Sequence, residues 1–133
     1  CDAFGVSKII FCNAEINFYS ARVQKTARNT QLHIPYSEKK NTGSTINKLK
    51  DEGHTIISLE ITDSSTSLEK LPELNYEKIA LVIGNEQQGI SEEVLNISDF
   101  SLHIDMYGKN SSMNVVQATS IALYTIINKL YIK

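Results

Sequence analysis

The fold is decided by a single stretch, Leu81-Val82-Ile83-Gly84-Asn85-Glu86-Gln87-Gln88-Gly89-Ile90. The apolar run that leads into it begins after Lys78 and stops at Gly84, which is typical of a strand buried on both faces of a parallel sheet. Gly84 lacks a Cβ and permits a turn or the close approach of a ligand, and the polar Asn85 and Glu86 come next. Because ligands of open α/β sheets bind at the carboxyl ends of the strands, we expect a binding site here.

Alternating strands and helices surround this stretch. Runs rich in apolar and β-branched residues predict further strands over 7–12, 32–36, 54–60 and 99–105. Pro35 places the second of these at an edge or an end. A short amphipathic helix over 44–53 completes a βαβ unit with its neighbouring strands, and the Thr-, Ser- and Asp-rich segment 62–67 predicts a loop. The expected class is therefore α/β.

Two more helices are predicted in the second half of the chain. After the central stretch, Ser91 is a candidate N-cap, with Glu92 and Glu93 in the first turn. Taken alone, a plain strand, a glycine turn and this capped helix would explain the central stretch without any function. The longest helical pattern, over 113–131, carries an apolar stripe made of Val115, Val116, Thr119, Ala122, Leu123, Ile126, Ile127 and Leu130.

Composition limits the chain to one domain. It has 133 residues, of which 41% are hydrophobic, enough for one core and too few for two ordinary domains. Its formal net charge is -2, from 13 basic and 15 acidic residues, so any affinity for nucleic acid requires a local patch. Arg22, Lys25 and Arg28 recur every third residue in a short helix predicted over 20–29. A solvated helix face and a phosphate-contacting patch are both open interpretations of this row.

Several kinds of site and location are disfavoured. Cys1 and Cys12 have neither metal-ligand spacing nor a second pair, and His33, His54 and His103 are scattered, so we predict no metal site and no disulfide scaffold. The fingerprints of common hydrolases, phosphate loops and dinucleotide folds are absent. No run approaches the roughly 18 apolar residues of a membrane span, and no segment resembles a signal peptide, so we expect a cytoplasmic protein.

A second polar constellation precedes the last helix. The segment 106–115 reads Met-Tyr-Gly-Lys-Asn-Ser-Ser-Met-Asn-Val, so two serines and two asparagines surround Gly108. Ser112 or Asn114 is a candidate N-cap of the helix. Capping accounts for one of these polar residues and leaves the others to be explained.

The two stretches together resemble motifs 2 and 3 of the SPOUT superfamily. The more similar branch is SpoU, also called TrmH-like, the RNA ribose 2′-O-methyltransferases. The matching residues are Leu81-Val82-Ile83-Gly84-Asn85-Glu86-x-x-Gly89-Ile90 and Ile104-x-Met106-x-Gly108-x-x-x-Ser112-Met113-Asn114-Val115. The likeness covers nearly the whole chain, since residues 2–6 resemble the tail of the family's motif 1 and residues 25–28 the region after its second strand.

The resemblance implies an α/β fold with a mainly parallel sheet flanked by helices. Its C-terminal part would form a deep trefoil knot, a rare exception to unknotted chains. Family members bind S-adenosyl-L-methionine inside the knot and work as homodimers through the knot region. Matched motif by motif, the cofactor pocket would be lined by Leu59, Gly84, Asn85, Glu86, Gly89, Ile104, Met106, Gly108 and Met113.

The implied reaction is transfer of a methyl group from S-adenosyl-L-methionine to a ribose 2′-hydroxyl of tRNA or rRNA. The cofactor is intrinsically reactive, so the protein mainly positions the partners and eases the loss of a proton. By resemblance, the residues that organise this site would be Asn85, Glu86, Ser112 and Asn114. Arg22, Lys25 and Arg28 would then contact RNA phosphates, and the region around them is more similar to tRNA-modifying members.

Two departures from the family pattern shape the expectations. Asp105 stands where the family usually has Pro and adds a charge near the adenine end of the pocket. The motif 1 Arg would fall upstream of Cys1, so residues 1–133 are expected to form a single domain without its first strand and most of motif 1. The alternative function is a catalytically inactive RNA- or cofactor-binding module of the same fold. An unrelated doubly wound nucleotide-binding domain is disfavoured, because no phosphate loop is present.

Overall fold

The computed structural model describes residues 1–14, 20–21, 33–71 and 77–131. The chain divides into two compact units, residues 1–45 and 46–133, which are treated separately below. The basic row Arg22, Lys25 and Arg28 lies outside the described residues, so its helix and its role stay predictions.

Two short parallel strands form the sheet of the first unit, β1 (Ile9–Cys12) and β2 (Tyr36–Lys39). The strand predicted over 7–12 is confirmed by β1. The strand predicted over 32–36 is wrong in position, because β2 begins only at Tyr36. Pro35 has no N–H to give to a sheet, and it takes part only through its carbonyl, which accepts a hydrogen bond from the Ile9 N–H at 3.0 Å.

Helix α1 spans Thr42–Asp51 and so begins before the predicted first residue, Ser44. Asn41 explains the earlier start. Its Oδ1 accepts a hydrogen bond from the Ser44 N–H at 2.8 Å, which satisfies one of the unpaired donors at the start of a helix.

A four-stranded parallel sheet forms the centre of the second unit. Its strands are β3 (Thr55–Leu59), β4 (Thr66–Ser67), β5 (Ile79–Ile83) and β6 (Phe100–His103). They lie in the order β4-β6-β3-β5. The loop predicted over 62–67 is wrong at its end, where Thr66 and Ser67 pair with Leu102 and His103. The described α-helices of this unit, besides the end of α1, are α2 (Glu92–Ile97) and α3 (Val115–Tyr131), and a 3-10 helix spans Leu68–Lys70.

Apolar side chains cover both faces of this sheet, because successive strand residues point to opposite sides. On one face, Ile57 and Leu102 pack with Ala122 and Ile126 of α3. On the other face, Ile56 packs with Ile46 of α1 and Val94 of α2. The result is the predicted α/β fold, with parallel strands flanked by helices.

Strand β5 was predicted to be buried on both faces, and this is wrong in degree. Its five residues are half-buried, because among the described strands it pairs with β3 alone and stands at an edge of this sheet. Its apolar run is nevertheless explained. Ile79 and Leu81 pack against one core cluster, and Ala80 and Val82 pack against the other. The fully buried strand residues include Ile56, Ile57 and Ser58 of β3 and Leu102 of β6.

Helix α3 confirms most of the predicted apolar stripe. Ala122 and Ile126 are buried, and Leu130 packs against them. Val116 is an exception, because 68% of its surface is exposed in the first turn. Within the parts of the chain that the structure describes, no helix has the length and apolar character that a bilayer crossing requires.

Candidate functional site

The carboxyl ends of three strands meet at one edge of the sheet in the second unit. Leu59, the last residue of β3, pairs with Ile83 of β5 and with Leu102 of β6. The chain segments that leave these strands therefore start side by side. Of the predicted pocket residues, Leu59 ends β3, the turn with Gly84, Asn85, Glu86 and Gly89 follows β5, and Ile104 and Met106 follow β6.

A tight turn follows β5 and is held by its own polar groups. Asn85 and Gly89 form an antiparallel bridge, in which the Gly89 N–H donates to the Asn85 carbonyl at 2.7 Å. The Asn85 side-chain Oδ1 accepts the Gln87 N–H at 2.8 Å. This oxygen is therefore occupied within the turn, and the Nδ2 of the exposed Asn85 is the part left for a ligand. Glu86 is exposed at the tip of the turn.

The two glycines of this turn are needed for different reasons, Gly84 for a close approach of the chain to itself and Gly89 for its backbone conformation. A Cβ on Gly84 would lie 2.4 Å from the Gly89 carbonyl carbon and 2.7 Å from the Ile90 nitrogen. Gly89 has a φ of 65°, in the left-handed region that favours glycine. The glycines predicted as pocket residues thus have a clear structural role, which is to let the turn fold back onto the end of β5.

Two acidic side chains that the sequence analysis gave no structural role lie at the same strand ends. Glu60 follows β3 directly, and its Oε2 accepts the Ile90 N–H at 3.0 Å. Asp105 follows β6, accepts the hydroxyl of Ser67, and lies 3.4 Å from the Nε2 of His103. A charged residue directly after a buried strand and near a motif is the signal by which the sequence would have indicated them.

A chain of hydrogen bonds continues from Asp105 into the loop after β3. The Nδ1 of His103 lies 2.8 Å from the Ser65 Oγ, and that hydroxyl also donates to the Thr62 carbonyl at 2.8 Å. The charge expected from Asp105 near the pocket is therefore bound into a polar network. Ser67 is buried within this network, and it ties β4 to the segment that follows β6.

The second polar constellation is placed differently from the turn. Gly108, Ser112 and Asn114 are exposed, and Met113 is half-buried. Asn114 caps helix α3, since its Oδ1 accepts the Val116 N–H at 2.9 Å. This decides between the two predicted N-caps. Among the described residues, no hydrogen bond joins Ser112 or Asn114 to the turn at Asn85.

An apolar concavity lies on the first turns of α3. It has a volume of about 430 Å³ and is lined by Met113, Val116, Gln117, Ser120 and Ile121. Val116 and Ile121 are 68% and 40% exposed, and Tyr124, one turn beyond Ser120, is 64% exposed. This face of α3 is therefore not part of the core of the described chain.

The strand ends offer groups suited to S-adenosylmethionine. Its adenine is flat and apolar, and Leu59, Ile104 and Met106 are half-buried apolar residues at this edge. Its sulfonium is a cation. The carboxylate of Glu86, in the turn that follows β5, is exposed. The residues present therefore fit this cofactor. Within the described residues, no group of His, Cys, Asp and Glu is arranged to hold a metal ion.

Comparisons with known proteins agree on one family. The model of the SpoU rRNA Methylase family matches residues 1–124. The chain is 26% identical over 123 residues to the 23S rRNA (guanosine(2553)-2′-O)-methyltransferase RlmP of Bacillus subtilis, which covers 92% of this chain and 48% of that protein. It is 34% identical over 97 residues to the tRNA (guanosine(18)-2′-O)-methyltransferase of Borreliella burgdorferi, which covers 73% of this chain and 44% of that protein.

A solved structure extends the likeness to the fold. The AdoMet-bound rRNA methyltransferase from Sinorhizobium meliloti superposes with a TM-score of 0.87 at 22% identity, over 99% of this chain and 49% of that one. The chain spans about half the length of the curated relatives it matches. Since the family model matches nearly the whole sequence, the chain belongs to the SpoU rRNA Methylase family.

Proposed function

We propose that this chain carries the cofactor site and part of the catalytic site of an RNA ribose 2′-O-methyltransferase. The observation that carries the proposal is the meeting of three strand ends, at which the Asn85 turn and the segment after β6 begin side by side. The names of the relatives support it, because they describe 2′-O-methyltransferases that act on rRNA and on tRNA.

In this proposal, S-adenosyl-L-methionine supplies a methyl group on a sulfonium. The pocket is lined by Leu59, Gly84, Asn85, Glu86, Gly89, Ile104, Met106, Gly108 and Met113. The half-buried Leu59, Ile104 and Met106 remove the adenine from water, while the turn contributes polar groups beside the sulfonium end. The solved AdoMet-bound relative of the same fold supports this choice of cofactor.

Four polar side chains organise the reacting groups in this account, Asn85, Glu86, Ser112 and Asn114. Bound S-adenosylmethionine would supply its methyl group to the ribose oxygen with cleavage of its carbon–sulfur bond, and the hydroxyl proton would pass to solvent. Asn85 and Asn114 use their Oδ1 atoms locally, so each offers its Nδ2 as a donor. Positioning by such donors is sufficient, because the methyl group is already activated.

The substrate in this proposal is RNA. The row Arg22, Lys25 and Arg28 contacts its phosphates, which is where most affinity for nucleic acids originates. The net charge of -2 makes a local basic patch necessary. Both tRNA and rRNA are kept as substrate classes, and tRNA is favoured by the sequence around Lys25.

Two further features belong to the same proposal. The segment from β6 to α3 forms the deep trefoil knot, and a second copy of the chain covers the exposed face of α3 in a homodimer. The support for the dimer is the apolar concavity at Val116 and Ile121, whose exposed area would be removed from water by a partner. A cytoplasmic location accords with an RNA substrate.

The experiment is methyl transfer from labelled S-adenosylmethionine to unmodified total tRNA and to rRNA, made with the full-length protein. Asn114→Asp is the informative variant, because aspartate caps a helix as well as asparagine does but has no amide donor. We expect transfer by the unaltered protein and about a hundredfold loss in the variant, the size of effect that loss of a transition-state donor has.

The outcomes separate two functions. Transfer to the ribose 2′-hydroxyl supports the enzyme. Cofactor binding without transfer to either RNA contradicts it and favours the second candidate, a binding module of the same fold. Asp105, in place of the usual Pro of motif 3, is the observation that keeps that candidate in view.

A further inference from the structure

Glu60 connects three strand ends through its side chain and its backbone. The carboxylate Oε2 accepts the Ile90 N–H at 3.0 Å, and Oε1 accepts the Ile61 N–H at 3.1 Å. The backbone N–H of Glu60 donates to the Leu102 carbonyl at 2.9 Å. One residue at the end of β3 is thus bonded both to β6 and to the chain that leaves the Asn85 turn.

The left-handed backbone at position 89 favours glycine, and the same carboxylate lies against this glycine. A Cβ on Gly89 would lie 2.5 Å from the Oε2 of Glu60, and its φ of 65° disfavours any side chain there. The carboxylate therefore rests against the Gly89 backbone while it accepts the next N–H along the chain. A close approach of this kind leaves the turn little freedom to rotate about its ends.

The other bonds of the turn are internal to it. The Asn85 Oδ1 accepts from Gln87 and Gln88, and the Gly89 N–H donates to the Asn85 carbonyl. Internal bonds fix the shape of the turn, but they do not fix its orientation relative to the sheet. Within the part of the chain that the structure describes, the Glu60 carboxylate just after β3 is the side-chain group from outside this region that hydrogen-bonds to it.

We infer that Glu60 is a positioning residue for the cofactor site. It holds the turn 85–89 at the angle at which Asn85 and Glu86 face the cofactor, through its bond to Ile90 and its contact with Gly89. Hydrogen bonds that backbone N–H groups donate to a carboxylate are among the stronger ones in proteins. That the held turn serves a cofactor rests on the proposed function. That Glu60 holds the turn rests on its geometry alone.

The test compares Glu60→Ala and Glu60→Gln with a control, Glu77→Gln, in the full-length protein. Glu77 is an exposed carboxylate just before β5, at the opposite end of that strand, so its substitution removes the same charge away from the turn. Glutamine has the shape of glutamate but only one acceptor oxygen for the two backbone N–H groups. It is therefore expected to rescue part of what alanine loses.

The first readout is hydrogen exchange at the Ile90 amide without cofactor. Glu60→Ala should accelerate this exchange about tenfold, Glu60→Gln should accelerate it less, and Glu77→Gln should leave it unchanged. The second readout is calorimetric affinity and KM for S-adenosylmethionine. We expect about tenfold weaker cofactor binding in Glu60→Ala, with the KM for RNA unchanged.

Two results would overturn the inference. Unchanged exchange at Ile90 in Glu60→Ala would show that the carboxylate does not hold the turn. Faster exchange with unaltered cofactor affinity would show that the held orientation does not serve the cofactor. If the unaltered protein bound no cofactor, the proposed function would fail, whereas exchange at Ile90 would still decide whether Glu60 positions the turn.

Discussion

The turn after β5 and the segment before α3 carry the two motifs of the site, yet they are built in opposite ways. The turn is held by Asn85, by the Glu60 carboxylate and by two glycines that the chain packs against. In the segment, Tyr107 is 90% exposed, and a Cβ on Gly108 would meet nothing within 4 Å. The bond from Asn114 to Val116 at its end serves the helix.

This difference assigns different duties to the two regions. A turn with several mutual contacts is preorganised, so it costs little ordering entropy when a ligand binds. An exposed segment with few contacts is not preorganised, and it gains contacts when a ligand binds. We therefore expect the turn to be the fixed wall of the cofactor pocket and the segment to be the part that orders around the cofactor.

The largest effect is expected from Gly84→Ala. Its new Cβ would lie 2.4 Å and 2.7 Å from backbone atoms of Gly89 and Ile90, which have no flexible end that can move away. We predict a loss of about 3 kcal/mol in the free energy of unfolding, as for severe overpacking. Denaturant unfolding measures it, and cofactor affinity should fall in parallel.

Gly108→Ala is the matched substitution in the other region. Open space surrounds this glycine, so its free energy of unfolding should change by less than about 0.5 kcal/mol. Weaker cofactor binding at unchanged stability would indicate that a ligand approaches Gly108. Equal destabilisation by the two substitutions would contradict the contrast between the regions.

Asp105→Ala should have the next largest effect. It leaves the buried Ser67 hydroxyl without its acceptor and releases His103 from a nearby carboxylate. We expect a loss of about 2 kcal/mol in thermal or denaturant unfolding. Asp105→Asn keeps an acceptor for Ser67 and should lose less unfolding free energy. If both variants were as stable as the unaltered protein, this network would not hold the segment after β6.

A smaller effect is expected at the helix cap. Asn114→Ala should cost about 1 kcal/mol of unfolding free energy, because the Val116 N–H loses its partner, and Asn114→Asp should cost almost nothing. Circular dichroism during urea unfolding distinguishes them. If Asn114→Asp lost as much stability as Asn114→Ala, the side-chain amide nitrogen would also have a structural partner.

A small effect, like that of Gly108→Ala, is predicted for Tyr107→Ala. A side chain that is 90% exposed contributes little to the folded state, so the change in unfolding free energy should stay within about 0.5 kcal/mol. Tyrosine fluorescence and thermal unfolding measure it. A cost above 1 kcal/mol would show that the segment packs more tightly than its exposure indicates.

The sequence was sufficient for the strands and helices whose ends are marked by a glycine or by a capping residue. Gly84 marks the end of β5, and Ser91 marks the start of α2, where its hydroxyl accepts the Val94 N–H. Both signals are local, since they depend on residues within a few positions of each other. The α/β class and the family motifs follow from such local signals.

Other features depended on residues far apart in the chain. The edge position of β5 and the pairing of Thr66 with Leu102 are set by the order of strands, which no local pattern contains. The bond between Glu60 and Ile90 joins residues 30 positions apart and becomes visible only when β3 and β5 are side by side. Val116 has the helical spacing of the apolar stripe, but it lies in the first turn of α3, where the helix is not packed against the core.

Hydrogen exchange of the full-length protein, with and without S-adenosylmethionine, tests the central claim most directly. The account predicts that the cofactor protects the amides at 59–60 and 84–90 only slightly, because that wall is already ordered, and protects those of the exposed segment 107–114 strongly. Strong protection confined to other parts of the chain, or none at saturating cofactor, would contradict a cofactor site at the three strand ends.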